Sequence, residues 1–232
     1  GLRSPVQPGE HRPGPAGRSA RRSSWVAGRC GRRGRPDAED AGSRAEAEQL
    51  RHVTFIEGDV TDLDCEEPFD ALIGRFVLMF LPDPAIVLRR LSHYVGKGGI
   101  IAFQEMDISA ACSVPDMPIW HKCGEWIRET FRRAKVDTQM GPKLHATFLH
   151  AGLPQPQMQL QARIGGAPGF PAHEYVTDII TSLLPMMTSL GVATADAVEI
   201  ETLAERLKEE MISGDGVMIL PSLVGAWARV PI

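Results

Sequence analysis

The chain has 232 residues, of which 43% are hydrophobic, and its formal net charge is -4. That length and hydrophobic fraction suffice for one sizeable core, so a single globular domain is expected. The negative charge argues against a nucleic-acid binder. No apolar run is long enough to span a bilayer, and no signal-peptide core is present. The four cysteines form no C-x-x-C pair and no zinc-type cluster, so we expect reduced thiols, no metal site and a cytoplasmic protein.

The charge is unevenly divided at residue 44. Residues 1–44 hold ten Arg, no Lys and four acidic residues, a net charge of +6, whereas residues 45–232 carry -10. Gly, Pro and Arg together make up 23 of those first 44 residues. Such a segment buries too little apolar surface to offset the entropy lost on ordering. We therefore expect a disordered segment over residues 1–44 and an α/β domain over residues 45–232.

Strand signals and helix signals alternate through the first part of that domain. Residues 45–51 are typical of the end of a helix, and VTFIE at 53–57 is a short β-rich run. FDALIG at 69–74 is apolar on both faces, as a central parallel strand is. GIIAFQ at 99–104 is a further buried strand. This alternation predicts an α/β fold with a parallel sheet.

A helix is predicted between the last two of those strands. Asp83 is a good N-cap and Pro84 a good first-turn residue. Gly96 is a natural left-handed residue to end the helix. His93 lies on the solvent side by its phase, and the apolar face carries Ile86, Leu88, Leu91 and Val95.

The second half of the sequence is more helical. Helices are predicted over 117–135, 143–151, 173–190 and 195–213, and strands over 157–164 and 222–230. Trp120 and Trp126 lie on or near the apolar face of the first of these helices, so we interpret them as core residues.

Three motifs follow one another between residues 53 and 107. A strand ending in Gly-Asp precedes FDALIGRFVLMFLPDP, and a glycine-rich turn then leads into a strand ending in acidic residues. In this order and spacing the segment resembles the second half of a class I S-adenosylmethionine-dependent methyltransferase domain, most of all the bacterial small-molecule methyltransferases. The resemblance implies a Rossmann-like sheet with helical lid insertions over 117–135 and 173–190. It also implies methyl transfer from S-adenosylmethionine to a small-molecule acceptor.

The resemblance assigns cofactor contacts to the ends of two strands. Asp59 would accept a hydrogen bond from the adenine amino group, and the backbone of Val60 would meet the ring. Gly74, Arg75 and Phe76 would hold the amino-acid end of the cofactor through their backbone and line the methyl-transfer chamber. Asp59 can equally cap its own loop, and Arg75 can be a solvated or salt-bridged residue at a strand end.

Proton removal from an oxygen or nitrogen acceptor needs a nearby base. The candidates are Glu105, Asp107, His121 and His145, and Glu105, Met106 and Asp107 are expected to face the substrate from the end of their strand. Glu105 and Asp107 can instead be solvated loop acids, and the two histidines can be surface or packed residues.

The cofactor-binding first half of such a domain is missing from the sequence as written. It would need a strand, a glycine loop, a helix and a second strand with a ribose-binding acid before residue 53. Gly28, Gly31 and Gly34 follow no apolar strand and are separated by arginines, so we interpret this run as non-functional.

We hypothesise that residues 12–42 are translated from the wrong reading frame, because a one-base shift permits a family-like second strand over 31–41. The alternative is a genuine Arg-rich tail. Either way, the predicted sheet is incomplete at its N-terminal half and exposes an edge, and we predict weak or no cofactor binding.

Two other functions remain open. One is a nicotinamide-dependent oxidoreductase on a similar sheet, and the other is a non-catalytic remnant or binding module. The C-terminal strands distinguish a methyltransferase from an oxidoreductase. Methyltransferases of this class end in a hairpin that inserts an antiparallel last strand into the sheet. The segments at 157–164 and 222–230 suit that hairpin.

Overall fold

The computed structural model describes residues 23–28, 43, 45–50, 53–62, 68–166 and 169–232. The chain divides into two compact units, one of residues 1–27 and 36–57, the other of residues 28–35 and 58–232. Gly31, Gly34 and most of the Arg-rich segment lie outside the described residues. The reading-frame hypothesis concerns that segment and stays a hypothesis.

The smaller unit contains a two-stranded sheet of β1 (Ser23–Gly28) and β2 (Val53–Gly58). Strand β2 confirms the strand predicted at 53–57, and residues 45–47 are helical, as predicted. Strand β1 corrects the expectation that no apolar strand precedes Gly28, because β1 ends at that residue. The β-formers Trp25 and Val26 supply the local preference that the surrounding Arg and Gly residues obscure.

The larger unit is built on a four-stranded sheet with the order β3-β4-β9-β6. Strand β4 is parallel to β3, and β9 is antiparallel to both β4 and β6. The predicted C-terminal hairpin, with an antiparallel last strand inserted beside β4, is thereby confirmed. The strands are β3 (Phe69–Arg75), β4 (Val95–Asp107), β6 (Gln157–Gln161) and β9 (Ser222–Arg229).

Among the described strands of this sheet, β3 lies at the end rather than at the centre. Leu72 packs against a buried cluster on one face, whereas Ile73 on the opposite face is 67% exposed. The expectation that both faces of this strand are buried is therefore wrong at Ile73. The described helices that pack on the sheet cover the Leu72 side.

The six helices of the larger unit's described residues follow the predicted pattern with one difference. The predicted helix over 195–213 is two helices, because Glu199 adopts a left-handed conformation, with φ of 52°, that interrupts it. The helices are α1 (Pro84–Ser92), α2 (Pro118–Arg133), α3 (Met140–His150), α4 (Ala172–Ser189), α5 (Ala195–Val198) and α6 (Leu203–Ser213).

Helix α1 begins as predicted but ends differently. The Asp83 carboxylate accepts a hydrogen bond from the Ile86 amide at 3.1 Å, and Pro84 is the first helical residue. Leu88 and Leu91 are buried, but Ile86 is 62% exposed because it lies in the first turn, beyond the packed face. The helix ends at its C-cap His93, and the predicted left-handed Gly96 instead lies within β4 without a positive φ.

The buried residues of the larger unit form two clusters. The first, here called the sheet core, joins α1, β4, α3 and β9 with the 3₁₀ turn Leu78–Phe80. The second, here called the cap core, joins α2, α4, α5 and α6 with Ile108 and the antiparallel sheet β5-β8-β7. That sheet consists of β5 (Cys112–Val114), β7 (Ile164–Gly166) and β8 (Val217–Ile219). Among the described helices, none is long and apolar enough to cross a membrane.

Candidate functional site

A cavity of about 490 Å³ lies in the larger unit, beyond the carboxyl ends of β3 and β4. Phe76 follows β3, while Met106 and Ile108 mark the end of β4, and all three line the cavity. Helices α2 and α4 supply most of the remaining wall. In open α/β sheets, ligands bind at this end of the strands, so the position of the cavity marks it as the candidate substrate site.

Phe76 occupies a strained backbone position at the cavity wall. Its φ is 53°, a left-handed value that bulky side chains rarely adopt. Its amide donates to the Gln104 carbonyl at 3.0 Å, which fixes this conformation at the end of the sheet. The Arg75 guanidinium lies 4.8 Å from the centroid of the Phe76 ring, which is a cation–π contact. The Arg75 residue is otherwise exposed to solvent.

Gly74 is required by packing within the sheet. It pairs with Phe103 of β4, and a Cβ added at Gly74 would lie 2.2 Å from Cε1 of the Phe103 ring. No side chain fits at that distance. The absence of a side chain at position 74 therefore follows from the sheet, whether or not its backbone also meets a cofactor.

Asp59 adopts the local loop geometry that the sequence left as its alternative interpretation. Oδ1 accepts hydrogen bonds from the Thr61 amide at 2.8 Å and the Thr61 hydroxyl at 2.7 Å. These bonds, the amide bond first, lower the pKa of Asp59, so the carboxylate is ionised at neutral pH. Both bonds use Oδ1, so an adenine contact through Oδ2 is compatible with the loop. Val60, beside it, is half-buried.

Glu105 is completely buried and binds backbone amides at the start of the 3₁₀ turn Leu78–Phe80. Oε1 accepts from the Val77 amide at 3.0 Å and the Leu78 amide at 2.8 Å. Burial raises the pKa of Glu105 against the lowering effect of these backbone bonds. Glu105 is not among the residues that line the cavity. The bound oxygen Oε1 faces the 3₁₀ turn, Oε2 has no hydrogen-bond partner among the described residues, and a role of Glu105 toward the substrate stays a prediction.

Asp107 also has a local partner. Its Oδ1 accepts from the Ser109 amide at 2.9 Å and the Ser109 hydroxyl at 2.6 Å. This turn closes the loop that follows β4. The carboxylate is 9% exposed and is not part of the cavity wall, whereas Met106 beside it is.

His121 lies on the cavity wall, in the first turn of α2. Its Nε2 contacts the carboxylate of Asp116, and the imidazole is 44% exposed. His145 lies on α3 and does not line the cavity. Of the four proton-accepting candidates, His121 is the one placed beside the space where a substrate would sit.

The start of α2 is held by a residue that the sequence did not indicate. Glu210 of α6 accepts from the Ile119 amide at 2.8 Å and the Trp120 amide at 3.1 Å. It thereby satisfies two of the free N–H groups at the helix N-terminus. The partners are 91 and 90 residues apart, so no local pattern could reveal them.

Cys123 also lines the cavity but is not suited to nucleophilic chemistry. Burial raises the pKa of its thiol to about 12, so the thiol stays protonated at neutral pH. Trp120 is buried in the cap core and borders the cavity, and Trp126 packs against the same core, as predicted. Within the described part of the chain, no group of His, Cys, Asp and Glu is arranged to hold a metal ion.

The sequence matches one family model over residues 38–147, just under half of the chain, and that family is described as a methyltransferase domain. No curated protein sequence matches the chain. The match spans the motifs between residues 53 and 107, on which the resemblance to a class I S-adenosylmethionine-dependent methyltransferase rests.

Solved structures resemble the chain at low sequence identity. A crystal structure described as a putative methyltransferase from Bacillus halodurans is 13% identical, with a TM-score of 0.51, and the match covers 84% of this chain and 79% of that one. The YcgJ protein from Bacillus subtilis is 15% identical, with a TM-score of 0.46 and coverage of 83% and 78%.

A third structure is Haemonchus contortus phosphoethanolamine N-methyltransferase 2 in complex with phosphomonomethylethanolamine and S-adenosylhomocysteine. It is 14% identical, with a TM-score of 0.47, and the match covers 82% of this chain and 40% of that one. The first of the three likenesses confirms the Rossmann-like methyltransferase fold. Neither the family match nor the antiparallel β9 supports the oxidoreductase alternative.

Proposed function

We propose that this methyltransferase holds a small-molecule acceptor in the cavity between α2 and α4, with His121 as the residue that accepts the acceptor's proton. The observation that carries the proposal is the position of the cavity, which meets the ends of β3 and β4 at Phe76 and Met106. The walls are largely apolar, so they exclude water from the methyl-transfer step. A cytoplasmic location, suggested by the cysteine pattern, is part of the same proposal.

The described residues fit S-adenosylmethionine at the positions that the resemblance names. The ionised, exposed Asp59 has Oδ2 to accept from the adenine amino group, and Val60 follows it. Gly74, Arg75 and Phe76 lie at the end of β3, and the Phe76 ring faces the cavity. When bound, S-adenosylmethionine supplies an electrophilic methyl group on a positively charged sulfur. The protein's own share is to align the acceptor and keep water out.

His121 supports proton transfer by geometry. The Nε2 atom lies beside the exposed Asp116 carboxylate without a hydrogen bond to it, and the imidazole borders the cavity, where it can take a proton from a bound acceptor. Glu210 strengthens this arrangement, because it anchors the first turn of α2, on which His121 lies.

The test uses a chain whose codons are restored to the shifted frame and measures transfer of a radiolabelled methyl group from S-adenosylmethionine to a panel of phenols, amines and thiols. His121→Ala should lower transfer to phenols and amines by roughly 10²-fold or more. Transfer to thiols should fall far less, since a thiol ionises near neutral pH without a base. His145→Ala is the matched control and should leave all rates unchanged. Equal losses for His121→Ala on every acceptor would exclude the proposed proton transfer.

A titration with S-adenosylhomocysteine tests the chain's competence to bind its cofactor. We expect weak or undetectable binding by the chain as written, because residues 12–42 do not supply the expected glycine loop. A chain whose codons are restored to the shifted frame should bind, and Asp59→Ala in that chain should weaken binding. Tight binding by the chain as written would refute the frame hypothesis. No binding by either chain favours the non-catalytic remnant.

A further inference from the structure

One cation borders the cavity without a partner. Arg128 of α2 lines the wall, and no hydrogen bond or ion pair engages its guanidinium among the described residues. The next arginines along the helix differ, because Arg132 and Arg133 both bind Glu129, at 2.7 and 2.6 Å. Among the described arginines of α2, Arg128 is thus the one that lines the cavity and makes no ion pair, and it is exposed to solvent.

The acidic groups that face Arg128 leave it free. Glu125, one turn earlier, is attracted by the charge of Arg128, but its carboxylate binds Lys122 at 3.0 Å. Asp178 of α4 lines the same cavity, and no ion pair joins it to Arg128 within the described residues. His121 on the wall contacts Asp116 instead.

The absence of a side chain at Gly124 leaves room for the Arg128 guanidinium beside the cavity. Gly124 is the residue one turn before Arg128 and lies inside α2, where glycine lowers helix stability. A Cβ at Gly124 would lie 3.0 Å from Nη1 and 3.5 Å from Cζ of Arg128. The guanidinium thus lies directly over the bare glycine, and both residues line the cavity. A methyl group at position 124 would push Nη1 slightly aside, because 3.0 Å is tighter than an ordinary van der Waals contact.

We infer that the acceptor bound in this cavity is an amphipathic anion, with an apolar body against α2 and α4 and a carboxylate-like group on Arg128. The planar guanidinium suits this role, since its paired N–H donors match the two oxygens of a carboxylate or the oxygens of a sulfonate. Arg128 is an exposed residue, so a ligand can reach its guanidinium from solvent. This inference rests on the proposed function, since it names the chemical class of the acceptor at the same site.

Two fluorescent probes that differ by one charged group test the inference. 8-Anilinonaphthalene-1-sulfonate carries a sulfonate on the ring system, and N-phenyl-1-naphthylamine is its neutral counterpart. The wild-type chain should bind the sulfonate more tightly. Arg128→Gln should weaken binding of the sulfonate about tenfold, as expected for the loss of a charge-assisted hydrogen bond, and leave the neutral probe unchanged.

Three further variants sharpen the result. Arg132→Gln removes the same charge from the same helix outside the cavity and should change neither affinity. Arg128→Lys should give an intermediate loss, because it keeps the charge but not the planar donors. Gly124→Ala should weaken sulfonate binding slightly by pushing the guanidinium aside.

The inference is overturned if Arg128→Gln weakens both probes equally or neither, if Arg132→Gln matches it, or if the wild type binds neither probe. Probe binding needs no cofactor. A frame-restored chain that selects the anion but transfers no methyl group would therefore contradict the proposed function and leave this inference standing.

Discussion

The sheet core and the cap core of the larger unit are built from different elements. The sheet core is centred on β4, which hydrogen-bonds to a strand on each side along most of its length. The cap core depends on helices that pack against each other and on a sheet of strands only three residues long. Among the described residues, Val136 packs against both clusters. With so little shared packing, the cap core is expected to be the more mobile of the two.

The cavity lies where these two cores meet. Phe76 and Met106 pack with the sheet core, whereas most of the other lining residues belong to α2 and α4. A cap that opens independently of the sheet would admit a substrate without disturbing the strand ends that position the chemistry. The division into two cores is therefore itself a functional hypothesis.

The largest expected effect is in the sheet core. Phe148 of α3 is completely buried, so Phe148→Ala should lower the free energy of unfolding by roughly 3–5 kcal/mol, measured by urea denaturation. Leu149, its neighbour, is 43% exposed, and Leu149→Ala is the matched control with an expected loss of about 0.5 kcal/mol or less. Similar losses for the two variants would contradict the packing assigned to α3.

In the cap core, Leu207→Ala of α6 removes another completely buried side chain, at a cost of roughly 2–5 kcal/mol. If the cores open independently, amides of α2 and α4 should exchange hydrogen faster in this variant, while those of β4 keep the wild-type rate. Hydrogen exchange measured by mass spectrometry resolves these segments. Faster exchange in β4 by the same factor would show one cooperative unit and remove the basis for a separately opening cap.

Much of the fold follows from local sequence. Strands β3, β4 and β9 and the start of α1 carry short-range signals, namely runs of apolar residues, the Asp83-Pro84 start and an alternating C-terminal strand. The strand at Ser23–Gly28 was missed because its signal is short and lies in an Arg- and Gly-rich segment.

The candidate site could be predicted only in part. The position of Phe76 at a strand end follows from the motif order, and His121 follows from its residue type. The partners of Glu105 lie 28 and 27 residues away, and Glu210 reaches across 91 and 90 residues to the start of α2. Such contacts depend on how helices and strands pack against each other, so they cannot be predicted from local sequence patterns.

A smaller effect is expected where β3 meets β4. Gly74→Ala places a Cβ against the Phe103 ring and should destabilise the sheet core by roughly 1–3 kcal/mol. The double variant Gly74→Ala/Phe103→Leu should lose less than the two single variants added together, because a smaller side chain makes room for the new methyl group. Additive losses in urea denaturation would show that the contact with Phe103 is not the cause.

Helix capping allows the two cores to be compared at a similar local feature. In the sheet core, the Asp83 carboxylate caps α1 by accepting from the Ile86 amide at 3.1 Å. In the cap core, the Thr194 hydroxyl caps α5 by accepting from the Ala197 amide at 3.3 Å. Asp83→Ala should reduce stability by about 1 kcal/mol. Thr194→Ala should have less effect on the global midpoint of unfolding, because α5 spans only four residues at the edge of the cap. A larger loss for Thr194→Ala would place the limiting stability in the cap core.

The smallest effect expected is a pH dependence that belongs to the sheet core. Burial raises the pKa of Glu105 in the folded chain above its ordinary value of 4.5, so folding favours the protonated form. At pH values below 4.5, Glu105 is protonated in both the folded and the unfolded chain and costs no stability. As pH rises from 4.5 through the higher pKa of the folded chain, the free energy of unfolding falls progressively. Glu105→Gln keeps an amide oxygen to accept from Val77 and Leu78 but cannot ionise. Urea denaturation at several pH values should therefore show that the variant gains stability relative to wild type as pH rises through this window.

Glu209→Gln, at an exposed position of α6, removes the same charge and serves as the control. A wild-type chain that instead gained stability over Glu105→Gln with rising pH would mean that the two amide bonds outweigh burial, and that Glu105 stabilises the 3₁₀ turn as an ionised carboxylate.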